Sequence, residues 1–324
     1  MPIDHLALLT SGGDAPGMNA AVRAVVRAAE HHGLRATGIL GGYNGLVQNE
    51  LLPMTGRSVS NIIQRGGTIL RSARSTSFMT KEGREQAARN LRAAGIDALV
   101  AIGGDGTFTG ARIFSEEHGF AVIGIPGTID NDLHGTDMTI GFDTATNTAV
   151  EAIDRIRDTA SSHDRLFFVE VMGRTSGAIA LHCGIAAGAE YILVPEQRQP
   201  IDELIAALEL ASTSKSSVIV VVAEGDEEGG AFEVAKKVKA RFAHYDTRVS
   251  VLGHLQRGGA PSVADRVLAS RLGVAAVDAL LRGESGAMAG VVNGQVVLTP
   301  LVQAIKAGRA LEPDLARLPA ILSR

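Results

Sequence analysis

Tryptophan is absent from the chain, and phenylalanine and tyrosine bring aromatics to only 4% of it. So few aromatic faces leave little for unpaired bases to stack on, which argues against a nucleic-acid partner. Lysine and arginine are scattered rather than massed, and a net charge of −4 argues against a general polyanion binder. Any anion must be bound locally. The single cysteine, Cys183, excludes an intrachain disulfide and a cysteine metal cluster; it reads as a small buried residue in a helix. No apolar run approaches membrane-spanning length, and the opening Met1-Pro2-Ile3-Asp4-His5 lacks the basic n-region and long apolar core of a signal peptide. The expectation is a cytoplasmic protein with no membrane partner. Fixed-period repeats, low-complexity tracts and linkers are missing too.

Glycine is abundant instead, with 38 residues where average usage gives about 23. Many stand where an apparent strand hands over to a loop. Buried strands are expected over 6–9, 36–40, 97–102, 121–125, 166–171, 217–223 and 249–252, and helices over 19–31, 82–94, 108–118, 178–187 and 261–281. Ala149, Ile153, Ile156 and Ala160 add another helical face. Alternating strands and helices imply parallel sheets covered on both faces. The fold class expected is α/β, with two doubly wound domains of mostly parallel sheet. The first takes 1–141 plus about 256–305, and the smaller second takes about 142–255 plus 306–324.

Ile125-Pro126-Gly127-Thr128-Ile129-Asp130-Asn131-Asp132 sets two carboxylates just beyond a strand end, where open α/β sheets keep their chemistry. Asp130 is the candidate general base, against the plainer alternative of Asx-turns that cap the next helix. Ser11-Gly12-Gly13-Asp14 and Gly103-Gly104-Asp105-Gly106-Thr107 each put backbone amides near a helix start, a geometry that binds phosphate. Neither is a P-loop or a dinucleotide fingerprint, and glycines at strand ends also serve as simple turn devices. Asp105 suits a Mg²⁺ held by one carboxylate and the substrate's phosphates. Gly66-Gly67-Thr68 opens a loop carrying Arg71 and Arg74. In the second half, the loops carry Arg165, Arg174, Glu224, Arg248, His254 and Arg257, a set suited to an anionic, hydroxyl-rich acceptor. Taken singly, each equals an ordinary surface residue. Together they supply what phosphoryl transfer requires: phosphate-cradling backbone, metal, cations and base.

Residues 9–19, Gly103 to Thr107, Pro126 to Asp132, Glu170-Val171-Met172-Gly173-Arg174, and Gly253-His254-Leu255-Gln256-Arg257-Gly258-Gly259 resemble, in order, the signatures of the bacterial ATP-dependent 6-phosphofructokinase family. The resemblance implies a kinase moving the γ-phosphoryl group of ATP to fructose 6-phosphate. In it Asp130 takes the 1-hydroxyl proton and Asp105 holds Mg²⁺. Gly13, Arg74, Ser75 and Gly104 to Thr107, including Gly106, line the ATP. Thr128 and Arg174 stabilise the moving group, and Ile129, Met172, Gly173, Glu224, Leu255 and Gln256 border the sugar. Arg165, Arg248, His254 and Arg257 bind the 6-phosphate, with Arg165 and Arg248 coming from a neighbouring subunit of a homotetramer. Arg23, Arg27, Arg157, Gly188, Glu190 and Lys215 match an effector site for ADP or phosphoenolpyruvate. Departures are Ser75 for an aromatic, the extra Arg71, and Gly56, Asn61 and Thr213 in place of effector-site residues. Pyrophosphate-using relatives carry Asp and Lys where this chain has Gly106 and Gly127, so ATP is the expected donor. The alternatives are a pyrophosphate-dependent enzyme, a silent nucleotide-binding regulator, and a lipid or NAD kinase; the last would share only the Gly103 to Thr107 loop.

Overall fold

The computed structural model describes residues 3–160, 165–212, 217–241, 246–306 and 309–322. Numbered along the chain, the strands are β1 (His5–Thr10), β2 (Arg35–Ile39), β3 (Leu51–Met54), β4 (Ala98–Gly103), β5 (Ala121–Pro126), β6 (Arg165–Val171), β7 (Tyr191–Leu193), β8 (Val218–Ala223), β9 (Asp246–Val251), β10 (Ala287–Val292) and β11 (Gln295–Pro300). The helices are α1 (Met18–His31), α2 (Gly42–Gln48), α3 (Lys81–Ala93), α4 (Asp105–His118), α5 (Phe142–Ala160), α6 (Ala178–Ala186), α7 (Ile201–Ser212), α8 (Ala231–Arg241), α9 (Val263–Leu281), α10 (Leu301–Lys306) and α11 (Pro313–Leu322). No helix among the described residues is long and apolar enough to cross a membrane.

The chain divides into two compact units. The first is Met1–Thr128, Leu133–Asp143 and Arg257–Gly308; the second is Ile129–Asp132, Thr144–Gln256 and Arg309–Arg324. Residues 129–132 therefore group with the second unit, not with the 1–141 stretch to which the sequence reading gave them.

In the first unit a seven-stranded sheet runs β11-β10-β5-β4-β1-β2-β3. β1 and β4 are buried along their whole length, as parallel strands covered on both faces must be. The antiparallel pairs β2–β3 and β10–β11 form its edges. Neither edge strand stands out in the sequence: β3 contains Pro53, which only an edge tolerates. Helix α4 lies tight on β5 because Gly124 has no side chain; a Cβ there would fall 2.6 Å from the Phe108 ring. Phe108, Phe114, Phe78 and Tyr43 share the core beneath, with the Tyr43 and Phe78 rings stacked 4.1 Å apart.

The second unit holds a four-stranded parallel sheet, β7-β8-β6-β9. Its core joins Leu166 and Phe168 of β6, Val220 and Val222 of β8, and Leu204, Val234 and Val238 of the covering helices. β6 lies between β8 and β9, so the loops leaving these three parallel strands emerge side by side at the same end of the sheet. This is the arrangement that gathers polar residues from distant parts of the sequence.

Candidate active site

In the first unit the adjacent parallel strands β1, β4 and β5 end together, and each is followed by one of the glycine loops. The loops are tied to one another. Ser11 N–H donates to the Ile102 carbonyl at 3.0 Å, and the buried Thr107 hydroxyl donates to the Ser11 carbonyl at 3.1 Å. A Cβ on Gly103 would lie 2.3 Å from that hydroxyl and 2.5 Å from that carbonyl. Only glycine lets the β4 end approach the first loop this closely. Gly104 precedes α4, and Asp105, Gly106 and Thr107 form its first turn rather than a loop ahead of it. Amides at a helix N-terminus have no intrahelical acceptor and face the ligand side, where the helix dipole favours phosphate.

A Cβ on Gly106 would meet nothing within 4 Å, whereas one on Gly127 would lie 3.1 Å from Ile102 Cγ2 and 3.2 Å from Met18 Cε. The two glycines therefore differ: Gly106 faces open space, and a side chain at Gly127 would need Ile102 and Met18 to give by a few tenths of an ångström. Thr128 is buried, and its carbonyl accepts from the Thr139 hydroxyl at 2.6 Å. Gly104 lies beside it, since its Cβ would fall 3.6 Å from Thr128 Cβ.

Beyond α2, the Gly66 loop closes on the first one. Thr10 Oγ1 donates to the Arg71 carbonyl and pairs with Thr68 Oγ1, both at 2.8 Å, while Ser72 Oγ donates to the Gly12 carbonyl. Arg71 adopts the left-handed conformation, φ 59°, so this extra charge belongs to a tight turn. Arg74 is exposed. Ser75 accepts from Phe78 N–H at 3.2 Å and caps the next turn, a job that explains a small polar residue there. Arg257 docks on the Gly13 loop: its Nη1 donates to the Asp14 carbonyl at 3.1 Å, and a Cβ on Gly13 would lie 2.5 Å from it.

A divalent metal is in keeping with this half. Among the described residues no group of three or more His, Cys, Asp or Glu could hold a metal unaided. Asp105 supplies one carboxylate in the first turn of α4, which fits an ion that takes its remaining oxygens from nucleotide phosphates and water.

In the second unit, Met172, Gly173 and Arg174 follow β6, Glu224 follows β8, and the 3-10 turn Gly253–Arg257 that carries His254, Leu255 and Gln256 follows β9. Arg174, His254 and Leu255 are exposed, and Gln256 is fully buried. Ile129, Asp130 and Asn131 are buried, Asp130 being 3% exposed. A carboxylate so enclosed is shielded from competing water.

Arg165 and Arg248 stand elsewhere. Arg165 opens β6, facing Asp246 in the register, and Arg248 faces Phe167. Both are tied to one carboxylate, with Arg165 Nε and Arg248 Nη2 each 2.9 Å from Asp246 Oδ2. Although desolvation acts to raise it, hydrogen bonds and charge from these two arginines hold the Asp246 carboxyl below its ordinary range. Sequence reading passed over Asp246. The available signal was the Asp246-x-Arg248 spacing, which on a strand puts both side chains on one face.

The expected effector residues fall into two groups. In the first unit Arg23 and Arg27 lie on the outer face of α1. Close by in sequence, Glu30 fills the space beside Gly56: Gly56 N–H donates to Glu30 Oε1 at 3.1 Å, and a Cβ there would lie 2.2 Å from Oε2. In the second unit Arg157 Nη2 donates to the carbonyls of Ala187 (2.6 Å) and Gly188 (3.0 Å), with Glu190 Oε1 3.9 Å from Nη1. Glu190 is buried, and its Oε2 accepts from Ile219 N–H at 2.7 Å, so this carboxylate also secures the start of β8. Lys215 and Thr213 lie outside the described residues.

Comparison with known proteins gives a consistent picture. The family model for phosphofructokinase matches residues 5–280. A Thermus thermophilus protein named ATP-dependent 6-phosphofructokinase 1 is 57% identical over 322 residues, covering 98% of this chain and 99% of that one. Among solved structures, phosphofructokinase from Saccharomyces cerevisiae superposes with a TM-score of 0.89 at 38% identity over 98% of this chain, which spans 46% of the yeast chain. A pyrophosphate-dependent phosphofructokinase from Marinobacter aquaeolei gives 0.84 at 25% identity, covering 96% of this chain and 86% of that one. With its glycine loops at the ends of β1, β4 and β5 and a family match over most of its length, the chain belongs to the phosphofructokinase family.

Proposed function

We propose that this chain transfers the γ-phosphoryl group of ATP to the 1-hydroxyl of fructose 6-phosphate, giving fructose 1,6-bisphosphate and ADP, the committed step of glycolysis. The observation that carries the reading is the set of three tied glycine loops ending β1, β4 and β5, in a chain 57% identical end to end to a protein named for this activity. The amides around Gly13 and of Gly104 to Thr107, with Arg74, hold the ATP phosphates. Mg²⁺ held by Asp105 supplies charge neutralisation of the phosphate oxygens when bound. Asp130 accepts the proton of the 1-hydroxyl as it attacks. Thr128 and Arg174 stabilise charge on the transferred group, and Met172, Gly173, Glu224 and the His254 turn hold the sugar.

One chain does not complete the site. Arg165 begins β6 and Met172 follows its end, so at about 3.3 Å per residue the two are about 23 Å apart along the strand. An arginine side chain spans about a third of that. The span of β6 supports assigning Arg165, and with it Arg248 on the adjacent strand, to the 6-phosphate of a neighbouring subunit in a homotetramer. Arg23 and Arg27 in the first unit, and Arg157 and Glu190 in the second, are the residues assigned to binding an effector, a nucleoside diphosphate or a phosphoenolpyruvate-like anion, in a protein of the cytoplasm.

The test is turnover of fructose 6-phosphate with ATP or with pyrophosphate, each with and without Mg²⁺. Activity is expected with ATP and Mg²⁺ alone. Comparable turnover with pyrophosphate would replace the donor, and no turnover with either would leave a nucleotide-binding regulator.

A further inference from the structure

Arg174 stands in the left-handed region, φ 55°, directly after Gly173 at φ 150°. Of the described non-glycine residues at positive φ, the others are asparagines and Arg71. Asparagine tolerates this conformation; a long cationic side chain adopts it only where its surroundings impose it. The neighbouring loops do so from both sides. Gln256 Oε1, from the turn after β9, accepts from Met172 N–H at 2.8 Å. Glu224 Oε1, after β8, accepts from Gly173 N–H at 3.2 Å and Arg174 N–H at 2.7 Å. Three successive amides are thus held by two side chains, one from each flanking strand. Gly225 makes room for the turn, since a Cβ there would lie 1.9 Å from the Arg174 carbonyl. Ser176 N–H closes it on the Gly173 carbonyl at 2.8 Å.

Gln256 is 0% exposed. Its amide is oriented by the Met172 N–H, which only Oε1 can accept, and Nε2 is left without a hydrogen-bond partner among the described residues. A buried donor left unsatisfied costs stability, and the one hydrogen bond this amide makes among the described residues is to the Met172 N–H. We infer that Gln256 is a positioning residue: together with Glu224 it clamps the Met172–Arg174 backbone, so that Arg174 presents its guanidinium to the transferred phosphoryl group. The inference rests on the role given to Arg174 above.

Gln256→Met keeps the volume and removes the acceptor. The expected result is a kcat lower by about tenfold or more, because small misplacements of a charge-stabilising group are costly, with KM for ATP changed by less than about twofold. Gln256→Glu retains an acceptor for Met172 N–H and should recover most of the lost kcat; if Gln256→Met does not fold, Gln256→Asn, which retracts the acceptor by one methylene, takes its place. Arg174→Ala and the double variant complete the experiment. If Gln256 acts through Arg174, the double variant is no slower than Arg174→Ala alone. Losses that multiply, an unchanged kcat in Gln256→Met, or a Gln256→Glu enzyme as slow as Gln256→Met would each overturn the inference while leaving Arg174 its role. An Arg174→Ala enzyme with wild-type kcat would remove that role and the inference together.

Discussion

Gly106→Asp separates donor recognition from stability. Position 106 lies in the first turn of α4 with nothing within 4 Å of its Cβ position, so a side chain fits without displacing the protein. A helix gains from replacing glycine, and aspartate near an N-terminus gains about 0.3–1 kcal/mol from the dipole. Thermal stability should therefore stay level or rise. The same carboxylate points where the amides are to receive ATP phosphates. At an effective dielectric constant near 20, a charge about 5 Å from one phosphate charge costs about 3 kcal/mol, or about 10²-fold in kcat/KM. The assay is coupled turnover with ATP varied at saturating fructose 6-phosphate, alongside a thermal melt. Undiminished ATP use would refute the placement of the phosphates over this turn, and a lowered melting temperature would refute the claim of open space. Gly127→Lys should behave oppositely, because its Cβ would press on Ile102 and Met18: the protein itself is expected to lose stability before donor choice is tested.

Asp130→Asn should lower kcat by about 10²-fold or more with little change in KM; a variant that keeps most of its kcat would remove Asp130 as the base. Mixing inactive Asp130→Asn with inactive Arg248→Ala should restore part of the activity if sites are shared between subunits, and no recovery despite demonstrated subunit exchange would mean a site contained in one chain. Titrating ADP and phosphoenolpyruvate against the fructose 6-phosphate saturation curve should shift the wild type and not Arg23→Ala/Arg157→Ala; with Glu30 filling the space at Gly56, anion binding there is expected to be weak, and identical responses would dismiss the site. His5 is buried, with Nδ1 donating to the Gly95 carbonyl and Nε2 accepting from Thr37. Burial, and then the charge of Arg35, lowers its pKa, so the unfolded chain binds the proton more readily. Its contribution to stability is complete above about pH 6.5 and declines as pH falls below that. His5→Gln should flatten the fall in melting temperature between about pH 7 and pH 5; an unchanged slope would assign the loss to other groups.

The sequence by itself determined what is local. Apolar runs marked β1, β4, β5, β6 and β8, and glycines close after each marked the loops where the sheets end, because strand burial and turn chemistry act over a few residues. The edge strands β3, β7 and β11, and β10 inside the last of them, were not legible, since an edge needs neither a continuous apolar run nor a regular alternation and β10 is broken by Gly290. Only the tertiary structure decided which residues meet. Glu224 lies 51 and 50 residues from the two amides it holds, and Gln256 lies 84 from its own. Glycine at 106 and glycine at 127 look alike in sequence and face opposite kinds of surroundings. Arg165 opens β6 and Arg174, nine positions on, lies in the loop beyond its other end, a separation that follows from the rise of a β-strand but acquires meaning only when the sheet shows which end of its strands carries the chemistry.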